Sequence, residues 1–341
     1  MKNYDFRQIT VTEVPGMTEL LLGRQFLESE VFPFLKNSCL NTKFISDSLE
    51  KLFADSKSIG VGAFVNNELV GYLIGEIMIS TRSGRYVSVP YEGVAIRTDQ
   101  SSELIKYLYA KVSMLWLDQG CFDHSVRVPL ANTVYYQGFL HLSFAIEQVY
   151  AVMNLEDYKP FENAAEVDVR LAEKKDSEAL GRMSSIISKY QNAAPVFIPA
   201  LPEVVASIQE GFKGLVEGEA GDIVIIAEKD NQELGFQDYE IITPSLMTPD
   251  NAIGLCVAGT YPSQMGSGIG KKLMNEGCRI IQERGYGSIL TDWRITNLAS
   301  STFWPKCGFK PVAYRMVRHI DRNYAWANFD NPSLKQLLEL Q

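Results

Sequence analysis

The chain has 341 residues, which is enough for two domains of ordinary size. Its composition, 46% hydrophobic and 21% charged, is that of a globular protein. A net charge of −9 gives no general attraction for nucleic acid or an anionic membrane surface, so neither is expected as a partner. No apolar run approaches the roughly 20 residues that span a bilayer, and no apolar segment typical of a targeting signal occurs in residues 1–10.

The cysteines and histidines lack the spacing of a metal site or a disulfide framework. The five cysteines are odd in number and scattered, and only three histidines occur. We therefore expect reduced thiols, no bound metal and a cytoplasmic location. The residues are Cys39, Cys121, Cys256, Cys278 and Cys307, with His124, His141 and His319.

The first half of the chain has the pattern of a small α/β domain without a glycine-rich turn. Leucine and valine recur at helical spacing from Leu104 to Leu115, and the preceding stretch, 98–104, has two carboxylates and no glycine. Asp and Ser side chains cap helix starts, and a pyrophosphate would meet negative charge there. We expect no phosphate ligand at 98–104; binding of another ligand, such as a substrate amine, is the alternative.

A weak internal repeat relates the two halves. Asn132 precedes Ser143 by 11 positions, and Asn297 precedes Gly308 by the same 11, which gives an offset of 297 − 132 = 165. Residues 68–72 match 233–236 with a slip of one residue, and a second beginning at 167–172 leads into a predicted helix over 176–190. The repeat predicts two tandem domains that meet near 154–167.

The second half contains a glycine-rich turn between a strand and a helix. An apolar run at 253–257 precedes Met-Gly-Ser-Gly-Ile-Gly at 265–270, which opens a helical stripe from Ile269 to Ile281. Glycines let the backbone approach a ligand, and free N–H groups at a helix start attract phosphate. This predicts a site for a pyrophosphate-bearing cofactor.

A second motif follows about 30 residues later. A predicted strand at 288–293 leads to Asn297, and the segment that begins there ends in Gly308-Phe309. Together the two motifs make the segment 253–320 similar to the acetyl-CoA-binding half of GNAT-type N-acetyltransferases. The resemblance implies an α/β (α+β) fold with two tandem GNAT-like domains. Each has a mixed, mostly antiparallel sheet flanked by helices, with a splayed fourth and fifth strand.

The resemblance also gives domain boundaries. Residues 1–156 form a degenerate first domain that shapes the structure or the substrate site, and 165–320 form the domain that binds acetyl-CoA. We expect residues 321–341 to form a helical tail, because Pro332 and the leucines from Leu334 to Leu340 follow Asn331 as in a helix start. The tail docks on a domain or forms a homodimer contact.

By resemblance, the loop amides bind the pyrophosphate, the fourth strand pairs with pantetheine, and the asparagine contacts the cofactor arm. The cofactor residues are then Ala258, Gly259, Thr260, Met265, Gly266, Ser267, Gly268, Ile269, Gly270, Asn297, Ser300 and Trp304.

Two residues depart from the family pattern. Met265 stands where the loop usually begins with Arg or Gln, but backbone amides do most of the phosphate binding. Trp304 stands where the family often has the tyrosine that protonates the departing thiolate, and indole cannot supply that proton. Packing beside the cofactor is the expected role of Trp304.

The catalytic candidates are Asp292 as base and Tyr314 as acid. Asp292 alternatively pairs with Arg294 or a neighbouring cation, and Tyr314 alternatively packs with its hydroxyl at the rim. Tyr261 has similar standing to Tyr314. Cys256 and Cys307 lack an adjacent histidine, which favours packing over a nucleophilic role.

The predicted function is acetyl-CoA-dependent N-acetylation of a small-molecule amine. Two alternatives stay open: a non-catalytic acyl-CoA-binding or regulatory protein, and an acyltransferase that uses a different acyl-CoA, because a pyrophosphate loop recognises CoA and not the acyl group.

Overall fold

A computed structural model describes residues 4–35, 40–54, 57–80, 84–216, 222–325 and 327. The helix predicted after Asn331 lies outside the described residues. The chain divides into two compact units. The first unit comprises Met1–Val31, Cys39–Ile146 and Tyr314–Gln341, and the second comprises Phe32–Ser38 and Glu147–Ala313.

The first unit is a mixed sheet flanked by helices. Its strands follow the order β1-β2-β3-β4-β6, with β4 and β6 parallel and the other neighbours antiparallel. The elements are β1 (Asp5–Gln8), α1 (Val14–Val31), α2 (Thr42–Ala54), β2 (Ser58–Val65), β3 (Glu68–Ser80), β4 (Gly84–Val89), β5 (Val94–Ile96), α3 (Ser102–Asp118), β6 (Asp123–Pro129) and α4 (Thr133–Leu140).

The predicted helical stripe of the first unit is buried, but its start is not capped as expected. Leu104, Leu108 and Val112 face the core from α3. The N-cap residue, Ser101, makes no side-chain hydrogen bond to the helix. Asp99 instead accepts from Arg97 Nε at 2.9 Å and from Gln100 Nε2 at 2.6 Å, so its charge is satisfied locally.

A buried arginine fills the middle of the first unit. Arg24 Nη1 donates to the carbonyl oxygens of Tyr91 at 2.7 Å and Val94 at 2.5 Å, and its Nε lies 2.8 Å from the Glu28 carboxylate. A cavity between Arg24 and Asn132 has about 10 Å³, which is room for about one water molecule. That the first unit binds no cofactor stays a prediction.

The second unit contains the strand order β7-β12-β11-β10-β9-β8. Phe236 faces the core beneath α5 and α6, and the alternate residues Gln237 and Tyr239 face α7. The elements are β7 (Ala145–Asn154, in this unit from Glu147), β8 (Asp168–Leu171), α5 (Ser177–Asn192), α6 (Pro202–Gly214), β9 (Ile223–Lys229), β10 (Gln232–Glu240), β11 (Ala252–Thr260), α7 (Ile269–Glu283), β12 (Ser288–Arg294), α8 (Leu298–Lys306) and β13 (Lys310–His319, in this unit to Ala313).

Strand β7 and the last part of β13 belong to different units from those that the predicted domain boundaries gave them. Residues 147–154 pair antiparallel with β12 from Ser288↔Asn154 to Arg294↔Gln148, so β7 belongs to the second unit. Residues 314–319 of β13 belong to the first unit, where the Ile320 N–H donates to the Phe122 carbonyl at 2.8 Å. Sequence spacing locates a strand but does not identify the strand with which it pairs.

In the described part of the chain, no helix is long and apolar enough to cross a membrane. No group of three His, Cys, Asp or Glu side chains that could hold a metal ion occurs among the same residues. Cys121, Cys256, Cys278 and Cys307 are free thiols.

Candidate cofactor and active site

The site begins where two parallel strands of the second unit separate. β11 and β12 pair from Ala252↔Ser288 to Leu255↔Thr291, and β11 then continues to Thr260 beside β10 alone. Cys256 is the extra residue of a β-bulge, because Asp238 pairs with Val257 and Tyr239 pairs with Leu255. Since β12 has diverged, alternate backbone N–H and C=O groups of β11 after Leu255 face the gap.

A cavity of about 1040 Å³ occupies this gap and lies wholly within the second unit. Every predicted cofactor residue except Ser267 lines it, and Asp292 lines it as well. The lining members of the predicted set are Ala258, Gly259, Thr260, Met265, Gly266, Gly268, Ile269, Gly270, Asn297, Ser300 and Trp304.

The glycine loop has the backbone geometry of an anion-binding turn. Gly266 and Gly268 have φ values of +81° and +90°, which side-chain-bearing residues rarely adopt. Within the described residues, no backbone acceptor is bonded to the N–H groups of Gly266, Gly268, Ile269 or Gly270. The last two lie in the first turn of α7, where helix N–H groups lack intrahelical partners. The loop therefore offers several donors and the positive end of a helix to an anion.

Neighbouring backbone holds this loop in place. The Ala165 N–H donates to the Gly268 carbonyl at 3.2 Å, and a Cβ on Gly268 would lie 2.9 Å from the Ala165 nitrogen. Ser267 Oγ donates to the Gln264 carbonyl at 2.6 Å, so Ser267 braces the turn instead of lining the cavity. Around a Cβ placed on Gly266 there is open space.

Two lysines that the motif analysis did not single out add positive charge to this cavity. Lys271 lies in the first turn of α7 with Nζ 5.7 Å from the centre of the Phe161 ring, and Phe161 stacks on Phe303. Lys306 lies in the last turn of α8. Both line the cavity. Lysine is common on surfaces, so no sequence signal distinguishes these two from the rest.

Asn297 and Trp304 position α8 at the edge of the gap. Asn297 Oδ1 accepts from the Ser300 N–H at 3.2 Å and caps the helix, as Asn132 Oδ1 caps α4 in the first unit. The Trp304 ring centre lies 5.0 Å from that of Phe303 and 5.6 Å from that of Phe309. Its burial among these rings favours the packing role over acid catalysis.

Asp292 lies on the cavity wall and bonds to a residue of β7. Gln148 Nε2 donates to Asp292 Oδ2, while Arg294 forms its ion pair with Glu147. The alternative interpretation, in which Asp292 pairs with Arg294 or a neighbouring cation, stays untested. Gln148 was missed from the sequence because nothing marks 147–154 as a strand of this unit.

Tyr314, the other catalytic candidate, lies in the first unit. Its ring centre is 6.1 Å from that of Tyr136, and burial raises the pKa of its hydroxyl. Neither Tyr314 nor Tyr261 lines the cavity of the second unit. The role of Tyr314 as acid stays a prediction, and its position outside the lining does not support that role.

The two cysteines near the site are poor nucleophiles. Burial raises the pKa of the Cys307 thiol to about 12. The Cys256 side chain is exposed at the cavity, but partial desolvation, with the negative charges of Glu240, Asp238 and Asp292, raises its pKa to about 12 as well. Both thiols therefore stay protonated at neutral pH, where the thiolate is the reactive form.

A buried carboxyl beside the bulge was also missed. Asp238 is fully buried, and no donor among the described residues bonds to either of its carboxyl oxygens. Burial, together with Glu240 and Asp222, raises the pKa of Asp238 to about 8. Asp238 follows the apolar Phe236 by two positions, so it shares that residue's face of β10, and this spacing is a sequence signal that could have found it.

Comparison with solved structures identifies similar folds. The fold is similar to a GCN5-related N-acetyltransferase from Sphaerobacter thermophilus, with a TM-score of 0.59, 10% identity, and coverage of 93% of this chain and 95% of that one. A tandem GNAT protein from the clavulanic acid biosynthesis pathway gives a TM-score of 0.50 at 12% identity, covering 93% and 98%. A glucosamine N-acetyltransferase region of a fungal multi-domain β-N-acetylglucosaminidase gives 0.53 at 12% identity, covering 93% and 38%.

No protein-family model matches the sequence, and no curated protein matches it. The chain has the α/β fold of the GCN5-related N-acetyltransferase superfamily, as the two motifs predicted. At 10–12% identity the likeness establishes the fold.

Proposed function

We propose that the protein is an acetyl-CoA-dependent N-acetyltransferase that acts on a small-molecule amine. One observation carries the proposal. In the second unit, the strand gap opens beside a glycine loop whose N–H groups have no backbone acceptor among the described residues. All but one of the residues that the family motifs single out line the same cavity.

The residues of this chain suit the cofactor. The N–H groups of Gly266, Gly268, Ile269 and Gly270 would hold the pyrophosphate, with Lys271 adding charge. The unpaired edge of β11 from Ala258 to Thr260 would bond the amide groups of the pantetheine arm, since that edge has lost its strand partner. When bound, acetyl-CoA supplies an activated acetyl group as a thioester.

Acetyl transfer also requires that negative charge is stabilised and that protons are transferred at the gap. A backbone N–H of β11 facing the gap would stabilise the oxyanion that forms at the acetyl carbonyl. Asp292 would accept the proton of the attacking amine. Trp304 cannot donate a proton to the thiolate, so solvent reaching the cavity would supply it.

The test is transfer of radiolabelled acetyl from acetyl-CoA to a panel of small amines, with free thiol measured in parallel. The proposal expects amine-dependent thiol release that matches the label incorporated. An Asp292→Asn variant should lose about 10²-fold or more in rate, the lower end of the contribution of a general base.

A second candidate function follows from Trp304. If acetyl-CoA binds to the second unit but no amine in the panel is acetylated, the missing acid favours an acyl-CoA-binding protein without turnover. If another acyl-CoA supports faster transfer than acetyl-CoA, the donor assignment is wrong while the site assignment holds.

A further inference from the structure

The cavity of the second unit passes through the sheet and has two chemically different ends. At one end are the glycine loop and Lys271, on the side of α7 and α8. At the other end, residues of α5 and the segment that follows it form the wall. Because the cofactor's phosphates would occupy the loop end, an acceptor must reach the strand gap from the α5 end.

The wall at the α5 end is mostly apolar, with Gln191 as a polar member. Ile187 and Tyr190 project from α5 into the lining, and Val196 follows in the next segment. All three are half-buried. Burial raises the pKa of the Tyr190 hydroxyl, as expected for a phenol in apolar surroundings. Such a wall gains free energy by covering an apolar surface of a ligand.

Negative charge is concentrated beside this wall. Asp292 lines the cavity, and the charges of Glu240 and Asp292 act on the Cys256 thiol, which also lines it. Asp238, with a pKa of about 8, is mostly protonated at neutral pH and adds little charge there. Asp238 alternates with Phe236 along β10, so it lies on the α5 face of the sheet. Its fully buried carboxyl has no hydrogen-bond donor among the described residues.

We infer that the acceptor is a monoamine with an apolar body, whose ammonium group is attracted by the Asp292 carboxylate while its body lies against Ile187, Tyr190 and Val196. This inference rests on the proposed function and specifies its substrate class. Asp292 contacts the ammonium group.

The probes are benzylamine, 2-aminoethanol and benzyl alcohol, each titrated by calorimetry into the full-length protein saturated with CoA. Benzylamine should bind at least tenfold tighter than the other two, because 2-aminoethanol lacks the apolar body and benzyl alcohol lacks the charge. Equal binding of 2-aminoethanol would overturn the apolar wall, and equal binding of benzyl alcohol would overturn the role of Asp292. Absence of benzylamine binding would overturn both.

Paired variants separate the two parts of the site. Val196→Asn should weaken the binding of benzylamine about fivefold without affecting that of 2-aminoethanol. Val205→Asn should leave the binding of both amines unchanged, because Val205 is exposed on α6 and outside the lining. Asp292→Asn should weaken both amines, whereas Asp168→Asn, exposed on β8, should not. If both members of a pair behave alike, that part of the inference fails.

A CoA titration made beforehand keeps the two hypotheses apart. Failure to bind CoA removes the proposed function, and intact CoA binding without selection among the three probes removes only the acceptor assignment.

A charge-sensitive measurement tests the negative potential in the wild-type protein. The rate at which Cys256 reacts with each methanethiosulfonate reagent is divided by the rate at which mercaptoethanol reacts with the same reagent. The ratio of this value for the positively charged 2-aminoethyl reagent to that for the negatively charged sulfonatoethyl reagent should exceed one. A ratio of one or below would contradict the negative potential.

Discussion

At the scale of single residues, Asp238 makes the stability of the protein depend on pH. Its pKa is about 8 in the folded protein and near 3.8 when exposed. Between these values the folded protein holds a proton that the unfolded chain has released. The free energy of unfolding therefore falls as pH rises from about 4 to 8, by up to roughly 1 kcal/mol per pH unit.

Urea unfolding at pH 5, 6.5 and 8 measures this slope. Asp238→Asn should flatten it, because an amide carries no titrating proton and can donate to Glu240. The exposed Asp168→Asn should keep the wild-type slope. Equal slopes for wild type and Asp238→Asn would show that Asp238 titrates normally.

Trp304 gives a second prediction at this scale. If it packs and does not supply a proton, Trp304→Phe should cost less stability than the roughly 3–5 kcal/mol of a truncation to Ala, and should change the transfer rate less than about threefold. Stopped-flow thiol release and chemical unfolding measure the two effects. A rate loss of 10²-fold or more at unchanged cofactor affinity would indicate a direct catalytic role.

At the scale of elements, α1 contains a buried ion pair, and an exposed pair of the same spacing in α2 serves as the reference for its contribution to stability. Arg24 and Glu28 are each 1% exposed, whereas Lys43 and Asp47, also at i,i+4 spacing, are 82% and 46% exposed. Arg24→Met should cost about 3–5 kcal/mol, because it leaves the Glu28 carboxylate buried without its cation. Lys43→Met should cost less than about 1 kcal/mol.

Urea unfolding of the single variants and of Arg24→Met/Glu28→Gln tests this account. The double variant should recover at least half of the loss, since a neutral amide needs no counter-charge. If Arg24→Met unfolds like Lys43→Met, the arginine does not hold the first unit together.

The sequence predicted the elements around the glycine loop well, because their signals are local. Ile269, Leu273 and Ile281 are buried along α7 as the spacing required, and Asn297 caps α8. Gln148 and Asp238 were missed for a different reason. Their significance depends on which strands lie beside β12 and β11, and strand pairing is a property of the fold that no local spacing encodes.

At the scale of the whole molecule, the assignment of β7 to the second unit predicts which fragment retains the site. A fragment of 147–313 keeps β7 beside β12, whereas 165–320, bounded as the sequence suggests, lacks the seven residue pairs from Ser288 to Arg294. We expect the first fragment to unfold cooperatively and the second to be unfolded or aggregated. Circular dichroism with thermal melting measures this, and equal stability would mean that β7 is dispensable.

The central claim is that one acetyl-CoA binds per chain at the glycine loop of the second unit, and calorimetric titration of three proteins tests it most directly. A Cβ on Gly270 would make ordinary contacts with Phe303, so Gly270→Ala should bind within about threefold of wild type. Gly270→Glu should bind about 10²-fold weaker, although an acid in the first turn favours the helix itself. One site per chain that only the glutamate removes is the predicted result. No binding by wild type, a second site, or unchanged affinity of Gly270→Glu would contradict the account.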